Sequence, residues 1–422
     1  MANSTIAIND AAGEWLEKTR ADLLKARHLP GFLYTSPDVF AFEVENIFLK
    51  DWLCVGRVEE FENPGDFHAL RIAGEPVLIC RDSAGSLNAF HNLCRHRGVE
   101  VVSGRGNRKN FRCPYHAWVY DLNGKLLGAP HSKEVEDFDF ENCGLMGVSL
   151  DTWGGYVFIN LDPDCMPLGG YLDEDEVRQF AAFLKPEETR TSDKYVFEVA
   201  CNWKFVIENL MDMYHVGTLH KETLGVHFPV NDFRYSLTKY GFNATYEAST
   251  YAPGGATLFG AMPWLQGKVS EKFACATWIR PTMNFFARHD MLQPWIALPI
   301  DVDRTLVTVY TQLPNSHFEE PAFEEKNQLY LSFIRQLASE DVQMLESLQN
   351  AVKSRAFRPG PTVNLERAVH HLLNYYLDRI FGEDITVRQR RLNQGRDMIS
   401  NAEASSGPPR DGGYTASFGT AK

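Results

Sequence analysis

The sequence predicts an α+β chain in two parts: a small antiparallel β domain, then a larger domain with an antiparallel sheet flanked by helices. Three observations carry this. The chain has 422 residues, more than one core usually holds, so two domains are expected. From Gly65 the apolar period falls to two and turn residues recur, the pattern of strands. Beyond residue 320 the period returns to that of helices.

In order, residues 8 to 28 read as helix and residues 28 to 39, "HLPGFLYTSPDV", as a loop. Phe40, Val44, Ile47, Phe48 and Trp52 follow at helical spacing. Residues 66 to 92 alternate as three strands, separated by the turn residues Ala73-Gly74-Glu75-Pro76 and Ser83-Ala84-Gly85-Ser86. "HAWVYDLNGKLLGAP" is a hairpin built on Asn123-Gly124, and "WGGYVFINLDP" adds a strand. This gives a β domain over 41–165, preceded by an N-terminal helical segment, 1–40, expected to pack on the larger domain. That domain, 166–402, opens with a short acidic helix, "DEDEVRQFAAFLKPEE". A strand then leads into a helix starting near Trp203. Strand patterns follow over 239–250, 273–289 and 293–313, then a long helix over 321–353 and another through "LERAVHHLLNYYLDRIFG". Residues 403–422 are small and polar and read as a flexible tail.

Composition excludes several classes. The formal charge of −13 argues against a nucleic-acid backbone as partner. No apolar run is long enough for a membrane span, and the N-terminus has neither the basic nor the apolar region of a secretory signal. A cytoplasmic protein is expected. Eight cysteines without small-domain spacing do not suggest a disulfide framework. Cys54, Cys80, Cys143, Cys165, Cys201 and Cys275 read as small buried thiols.

The other two cysteines belong to a pattern. Cys94-x-His96 and Cys113-x-x-His116 each close a short loop with one thiol and one imidazole. A structural zinc site more often pairs Cys with Cys and His with His. Interleaved pairs suit two adjacent irons, one held by two thiolates and the other by two imidazoles. Gly98, Gly104 and Pro114 tighten these loops. "CRHRG…CPYHAW" resembles the Rieske [2Fe–2S] motif, which implies that Cys94 and Cys113 bind one iron and His96 and His116 the other. Arg95, Arg97, Arg105, Arg108, Lys109 and Arg112 surround the loops. They are either a solvated surface or a docking face for an acidic electron donor or a neighbouring subunit.

A second constellation lies in "WKFVIENLMDMYHVGTLH". Glu208, Asp212 and His215 fall at i, i+4 and i+7, one stripe of a helix, so Asp212 is placed to orient the His215 ring. His220 lies about 140° further round an ideal helix, so both histidines reach one metal only if the helix breaks between them. Gly217 offers the place. Two histidines and a carboxylate make an iron site for oxygen chemistry. Asp341 is the candidate carboxylate, with Leu337, Ala338, Met344 and Leu345 three and four residues away and Ile334 and Leu348 seven away. A charge on that apolar stripe is costly unless paired or metal-bound. Glu340, among Gln336, Gln343 and Ser347, is expected to face water.

"ENLMDMYHVGTLH" and "EDVQMLESLQ", downstream of the Rieske motif, resemble the mononuclear-iron motifs of the Rieske non-haem iron oxygenases, α (terminal oxygenase) subunits. The resemblance runs in order along nearly the whole chain. It implies a helix-grip-like catalytic domain and His215, His220 and Asp341 as ligands of a mononuclear Fe(II). Asp212 becomes an electron-transfer bridge to His116 of an adjacent subunit, since in this family the working pair of centres forms across a homotrimer interface. It further implies O₂ as co-substrate and electrons from NAD(P)H through a separate reductase, with or without a ferredoxin. The reaction would be dihydroxylation, monohydroxylation or oxidative dealkylation. "SEDVQMLESLQNAVKSRAF" looks like members that lack a β subunit. Glu208 stands where some members carry Asn.

Candidate pocket walls are Phe205, Glu208, Asn209, Met213, Leu219, His227 and Phe228 near the iron helix, with Trp278, Phe285, Phe286 and Trp295 on the sheet. A small organic substrate is expected, an aromatic ring or a quaternary ammonium held by an aromatic cage. Quaternary-ammonium relatives can carry Glu at the bridging position, where this chain has Asp212, which favours the aromatic. The alternative of another class is a Rieske electron carrier without oxygenase activity.

Overall fold

The computed structural model describes residues 10–224 and 233–382; His227, Phe228 and the tail over 403–422 lie outside the described residues. Alternating residues of the first part build a seven-stranded antiparallel sheet. Its spatial order is Leu53–Arg57, Tyr156–Asn160, Gly147–Trp153, Leu87–His91, Glu75–Arg81, Asp66–Ile72 and Arg105–Asn107. Entry and exit strands are neighbours, with Leu53 opposite Ile159. A three-stranded sheet, Phe111–Arg112, Val119–Tyr120 and Leu126–Gly128, packs on it through buried Leu78, Cys80, Phe111, Tyr120 and Leu126. Gly147–Trp153 is a strand that the sequence did not announce: its apolar residues Val148 and Leu150 are only half-buried.

The second sheet also has seven strands, in the order Thr189–Val199, Arg304–Pro314, Leu292–Asp301, Met283–Arg288, Phe273–Ile279, Phe242–Glu247 and Arg234–Leu237. Both faces are covered. The outer face, with Cys275, Met283, Phe285, Leu292 and Tyr310, packs on Tyr156 and Phe158 of the first sheet and on the short helices between residues 168 and 184. Burying such side chains is worth about 1.5–3 kcal/mol each, so the two domains are fused by an apolar seam. The inner face, with Ala276, Trp278, Phe286, Trp295 and Val309, meets three helices: Trp203–Met211, Phe323–Ala351 and Arg367–Phe381.

The N-terminal segment belongs to this larger core. Helix Asp10–Arg20 lies on helix Arg367–Phe381, and Arg20 pairs with Asp378. Glu43, wholly buried, accepts hydrogen bonds from Lys204, from the Trp203 indole and from the Tyr376 hydroxyl. The loop expected over 28–39 contains two short helices, Phe32–Thr35 and Pro37–Glu43. Ser36 caps the second, its Oγ accepting from the Val39 N–H at 3.4 Å, with Pro37 at the first helical position. The acidic helix is shorter than expected, beginning only at Val177. No described helix is long and apolar enough to cross a membrane.

Candidate metal centres

The first centre sits between two loops of matched shape. The Gly98 N–H reaches the Cys94 carbonyl at 2.8 Å, and the Ala117 N–H reaches the Cys113 carbonyl at 3.1 Å. Gly98 and Ala117 both have left-handed backbone, φ +74° and +60°. Each loop thereby turns its cysteine inward and its histidine outward. Cys94 and Cys113 are buried and free, whereas His96 is exposed and His116 half-buried. Their Nδ1 atoms face each other at 3.0 Å. The Tyr120 hydroxyl accepts from the Arg95 N–H at 3.0 Å and lies 3.3 Å from the Cys94 sulfur, placed to donate to a thiolate. Trp118 stacks on His96, ring centres 5.2 Å apart. Two inward thiols and two outward imidazoles fit a cluster with sulfur-held iron inside and nitrogen-held iron at the surface. Arg95, Arg97, Arg105, Arg108, Lys109 and Arg112 are all exposed around it, though Arg105 is paired with Glu60 at 2.9 Å.

The second centre depends on where one helix stops. Asn202 caps the start of Trp203–Met211, its side chain accepting from the Lys204 N–H at 3.1 Å. The helix ends at Asp212, five residues before the glycine expected to break it. Asp212 Oδ1 accepts the Tyr214 N–H at 2.7 Å, a local turn that competes with the helix. A single turn follows, Val216–Leu219, with Gly217 inside it and a histidine at each end. His215 and His220 bring their Nε2 atoms to 3.2 Å. Asp341, on the long helix, places Oδ1 at 3.0 Å from His220 Nε2 and 3.7 Å from His215 Nε2.

The protons of this group are readable. His215 Nδ1–H donates to Asp212 Oδ2 at 2.9 Å, and His220 Nδ1–H donates to Glu340 Oε2 at 2.8 Å. Both Nε2 atoms then carry lone pairs. They face a buried Asp341 Oδ1 that, despite its short distance to His220, has no hydrogen-bond geometry to any partner. Three lone pairs pointing at one another repel unless a cation lies between them. The donor set, two imidazoles and a carboxylate, fits a mononuclear iron.

Glu340 corrects the sequence reading. It is partly buried, not turned to water: one oxygen takes His220 Nδ1–H and the Thr223 hydroxyl at 3.0 Å, the other takes Gln336 Nε2 at 3.1 Å. The signal was a Glu-Asp pair on a helix opposite His-x₄-His. Met344 and Leu348, assigned to the apolar stripe with Asp341, are exposed.

The pocket candidates divide between two sides. Asn209 and Trp295 line a cavity of about 10 Å³ with Asp341, Val206 and Leu210, room for about one water. Met213 is buried and Leu219 half-buried beside the histidines. Phe205 and Glu208 are on another flank of the helix: Phe205 stacks on Tyr34 at 4.0 Å, and Glu208 accepts the Tyr34 hydroxyl at 2.8 Å. Glu208 therefore shares no polar contact with Asp212, although helical spacing put them on one stripe. Phe285 faces the outer seam, edge-on to Trp153 and Tyr156, because neighbours on a strand point to opposite faces. Phe286 is the inward one, and Trp278 is packed edge-on against Tyr375.

Burial pushes Glu208 up to about 7, against the opposing pull of His28, the Tyr34 hydroxyl and Lys204. Because folding raises this pKa from 4.5, the stability linked to it is whole below about 4.5 and lost as pH rises through about 7. Glu208→Gln keeps an acceptor for Tyr34 and removes the charge. We expect it to melt like the parent near pH 4.5 and higher at pH 8, by no more than about 3 kcal/mol. Thermal unfolding over that range checks this; equal melting at pH 8 would refute it.

A β domain with two inward thiols and two outward imidazoles, joined to a sheet-and-helix domain with a two-histidine, one-carboxylate site, defines the class of Rieske oxygenases. Comparison agrees: residues 51–139 match the Rieske [2Fe-2S] domain family, and residues 186–382 match the ring hydroxylating alpha subunit (catalytic domain) family. The chain is 30% identical over 332 residues to the carnitine monooxygenase oxygenase subunit of Acinetobacter pittii, covering 78% of this chain and 86% of that one. It is 28% identical to the glycine betaine monooxygenase oxygenase subunit of Pseudomonas aeruginosa, covering 89% and 95%. A quaternary ammonium Rieske monooxygenase solved with an inhibitor superposes with a TM-score of 0.71 at 25% identity, covering 89% of this chain and 99% of that one. The chain belongs to the Rieske non-haem iron oxygenase terminal subunits, enzymes with a Rieske [2Fe–2S] cluster and a non-haem iron that draw electrons from a reductase.

Proposed function

We propose that this terminal oxygenase acts on a small quaternary ammonium compound. The observation that carries the substrate class is the chain-long similarity to relatives named for carnitine and glycine betaine. Trp295, at the cavity beside Asp341, supplies an aromatic face of the kind that holds such cations. In this reading Cys94 and Cys113 hold one cluster iron, His96 and His116 the other, and His215, His220 and Asp341 the mononuclear iron. The bound iron supplies O₂ activation. The chain supplies the rest. Asp212 and Glu340 each keep a proton on a histidine Nδ1, so that both Nε2 lone pairs stay available. Asn209 and Trp295 line the small cavity beside Asp341, among buried apolar residues that limit it to about one water. Asp212 is half-buried, with its two oxygens on Tyr214 and His215, and its remaining lone pairs suit a hydrogen bond from His116 of a neighbouring copy in a homotrimer.

Substrate-dependent O₂ uptake with NAD(P)H and a surrogate reductase tests this. Quaternary ammonium acids should be consumed in proportion to O₂. The aromatic reading rests on Asp212 alone and supplies the opposing arm: coupled uptake with aromatic acids or aryl ethers only would reject a quaternary ammonium substrate.

A further inference from the structure

Trp295 lines the same small cavity as Asp341 and stands first in a row of oxidisable rings. Register sets the row. Asn284 lies opposite Trp295 on one side and opposite Trp278 on the other, so all three share the inner face of the sheet. Two strand spacings put the tryptophans about 10 Å apart. Trp278 is wholly buried and meets the ring of Tyr375 edge-on, centres 5.1 Å apart. Tyr240, half-buried, follows with its ring centre 5.7 Å from that of Tyr375. The row therefore leads from the Asp341 cavity across the sheet toward solvent.

Where an oxidising equivalent would stop depends on what each ring can do with its proton. The Trp295 N–H donates to Gln293 Oε1 at 3.4 Å and the Trp278 N–H to the Pro281 carbonyl at 3.3 Å, and neither acceptor is a base. The Tyr375 hydroxyl donates to Asp51 Oδ2 at 2.6 Å, the length of a charge-assisted bond. Arg379 reaches both Asp51 oxygens, at 2.5 and 2.7 Å, and fixes the acceptor. Burial, with the Asp51 charge beside it, pushes that hydroxyl well above its ordinary pKa, so it keeps its proton until it is oxidised. Tyr240 lies under two cations, Arg280 at 4.6 Å and Lys239 at 4.8 Å, which repel positive charge on its ring. Tyr34, Tyr310, Tyr330 and Tyr376 also donate to carboxylates, but of these five tyrosines only Tyr375 has ring contact with a tryptophan among the described residues.

We infer that Trp295, Trp278 and Tyr375 carry an oxidising equivalent away from the Asp341 site when no substrate consumes it, and so protect that site from its own chemistry. This rests on the iron reading of the site and is independent of the substrate class. In each event one electron passes from Tyr375, by way of Trp278 and Trp295, to the oxidant that O₂ or peroxide generates there, which is reduced by one electron. The Tyr375 O–H bond breaks, its proton goes to Asp51 Oδ2, and a neutral phenoxyl radical remains. A thiol or ascorbate in solution returns one electron by way of Tyr240, and Asp51 returns the proton.

Electron paramagnetic resonance of the substrate-free holoenzyme, frozen within seconds of mixing with hydrogen peroxide, tests it. A tyrosyl signal should form, and it should narrow when the tyrosines carry ring deuterium. Tyr375→Phe should lose the signal while its iron content and coupled turnover stay as in the parent. Trp278→Phe, which keeps Tyr375 on Asp51 but removes the ring before it, should lose the signal too. In both variants peptide mapping should find Trp295 oxidised several times faster than in the parent. Tyr376→Phe takes an equally buried hydroxyl from Glu43 and should keep the signal, which a purely structural role for Tyr375 would not predict. No tyrosyl signal in a parent that retains its iron, a signal that survives both Tyr375→Phe and Trp278→Phe, or one that Tyr376→Phe removes as well, overturns the inference and leaves the iron reading standing. A full signal in Asp341→Ala, which should lack that iron, overturns both.

Discussion

Asp341→Ala should retain the colour of the cluster and lose the third iron. Metal analysis is expected to fall from about three irons per chain to about two, with turnover lost by more than about a hundredfold. The geometry also predicts a less obvious result. In the iron-free parent, Asp341 Oδ1 is buried, without a hydrogen bond, and aimed at two histidine lone pairs. Where His220 carries a single proton, deleting the carboxylate removes that repulsion, so iron-free Asp341→Ala should be more stable than iron-free parent by about 1–3 kcal/mol, and the gain should disappear at acid pH, where protonated His220 pairs with Asp341. Denaturant unfolding after chelation measures this. Glu340→Ala should behave differently, weakening iron by about 10–100-fold because His220 Nδ1–H loses its acceptor. Unchanged iron affinity in Glu340→Ala would mean that the carboxylate serves only Thr223 and Gln336.

Asp212→Ala should separate the two centres. The visible spectrum of the cluster and its reduction by the reductase are expected to stay as in the parent, while NAD(P)H-driven turnover falls by more than about a hundredfold. Part of that loss comes from His215, whose Nδ1–H is held by Asp212, so the comparison is made with iron in excess. Hydrogen peroxide brings oxygen and electrons together and needs nothing from the cluster. Peroxide-driven product formation in Asp212→Ala should stay within about tenfold of the parent. Surviving NAD(P)H-driven turnover would remove Asp212 from the electron route.

The two centres were legible in the sequence to different depths. The candidate cluster residues lie within 23 positions, Cys94 to His116, and their loops are local structures closed by their own backbone. Asp341 was legible because helix period sets it among Leu337, Ala338 and Leu345, all buried. Glu340 was not. Its polar neighbours suggested water, and what draws it inward is His220, 120 residues away in sequence. The helix breaks before His215 rather than at Gly217 between the histidines, because the side-chain turn of Asp212 ends it before the low helix propensity of Gly217 can act. The pocket was least legible. Helix period sets Phe205 beside both Glu208 and Asn209, three and four residues on, and only tertiary packing says that the first two meet Tyr34 and the third meets the cavity. Strand alternation did forbid Phe285 and Phe286 from lining one cavity.

The pairing of Leu53 with Ile159 gives the molecule a different anatomy from the linear one in its sequence. Residues 10 to 48 and 189 to 381 share one core, tied at Glu43 and at Arg20, and Leu53, Ile72, Val77, Ile79 and Ile159 of the cluster domain pack against it. The cluster domain leaves that body and returns to it at one point, as an insertion does, with ends close enough for a short linker to bridge. The chain is therefore an oxygenase core with a cassette set into it rather than a carrier with an enzyme appended. Truncating the N-terminus would damage the mononuclear site before it touched the cluster.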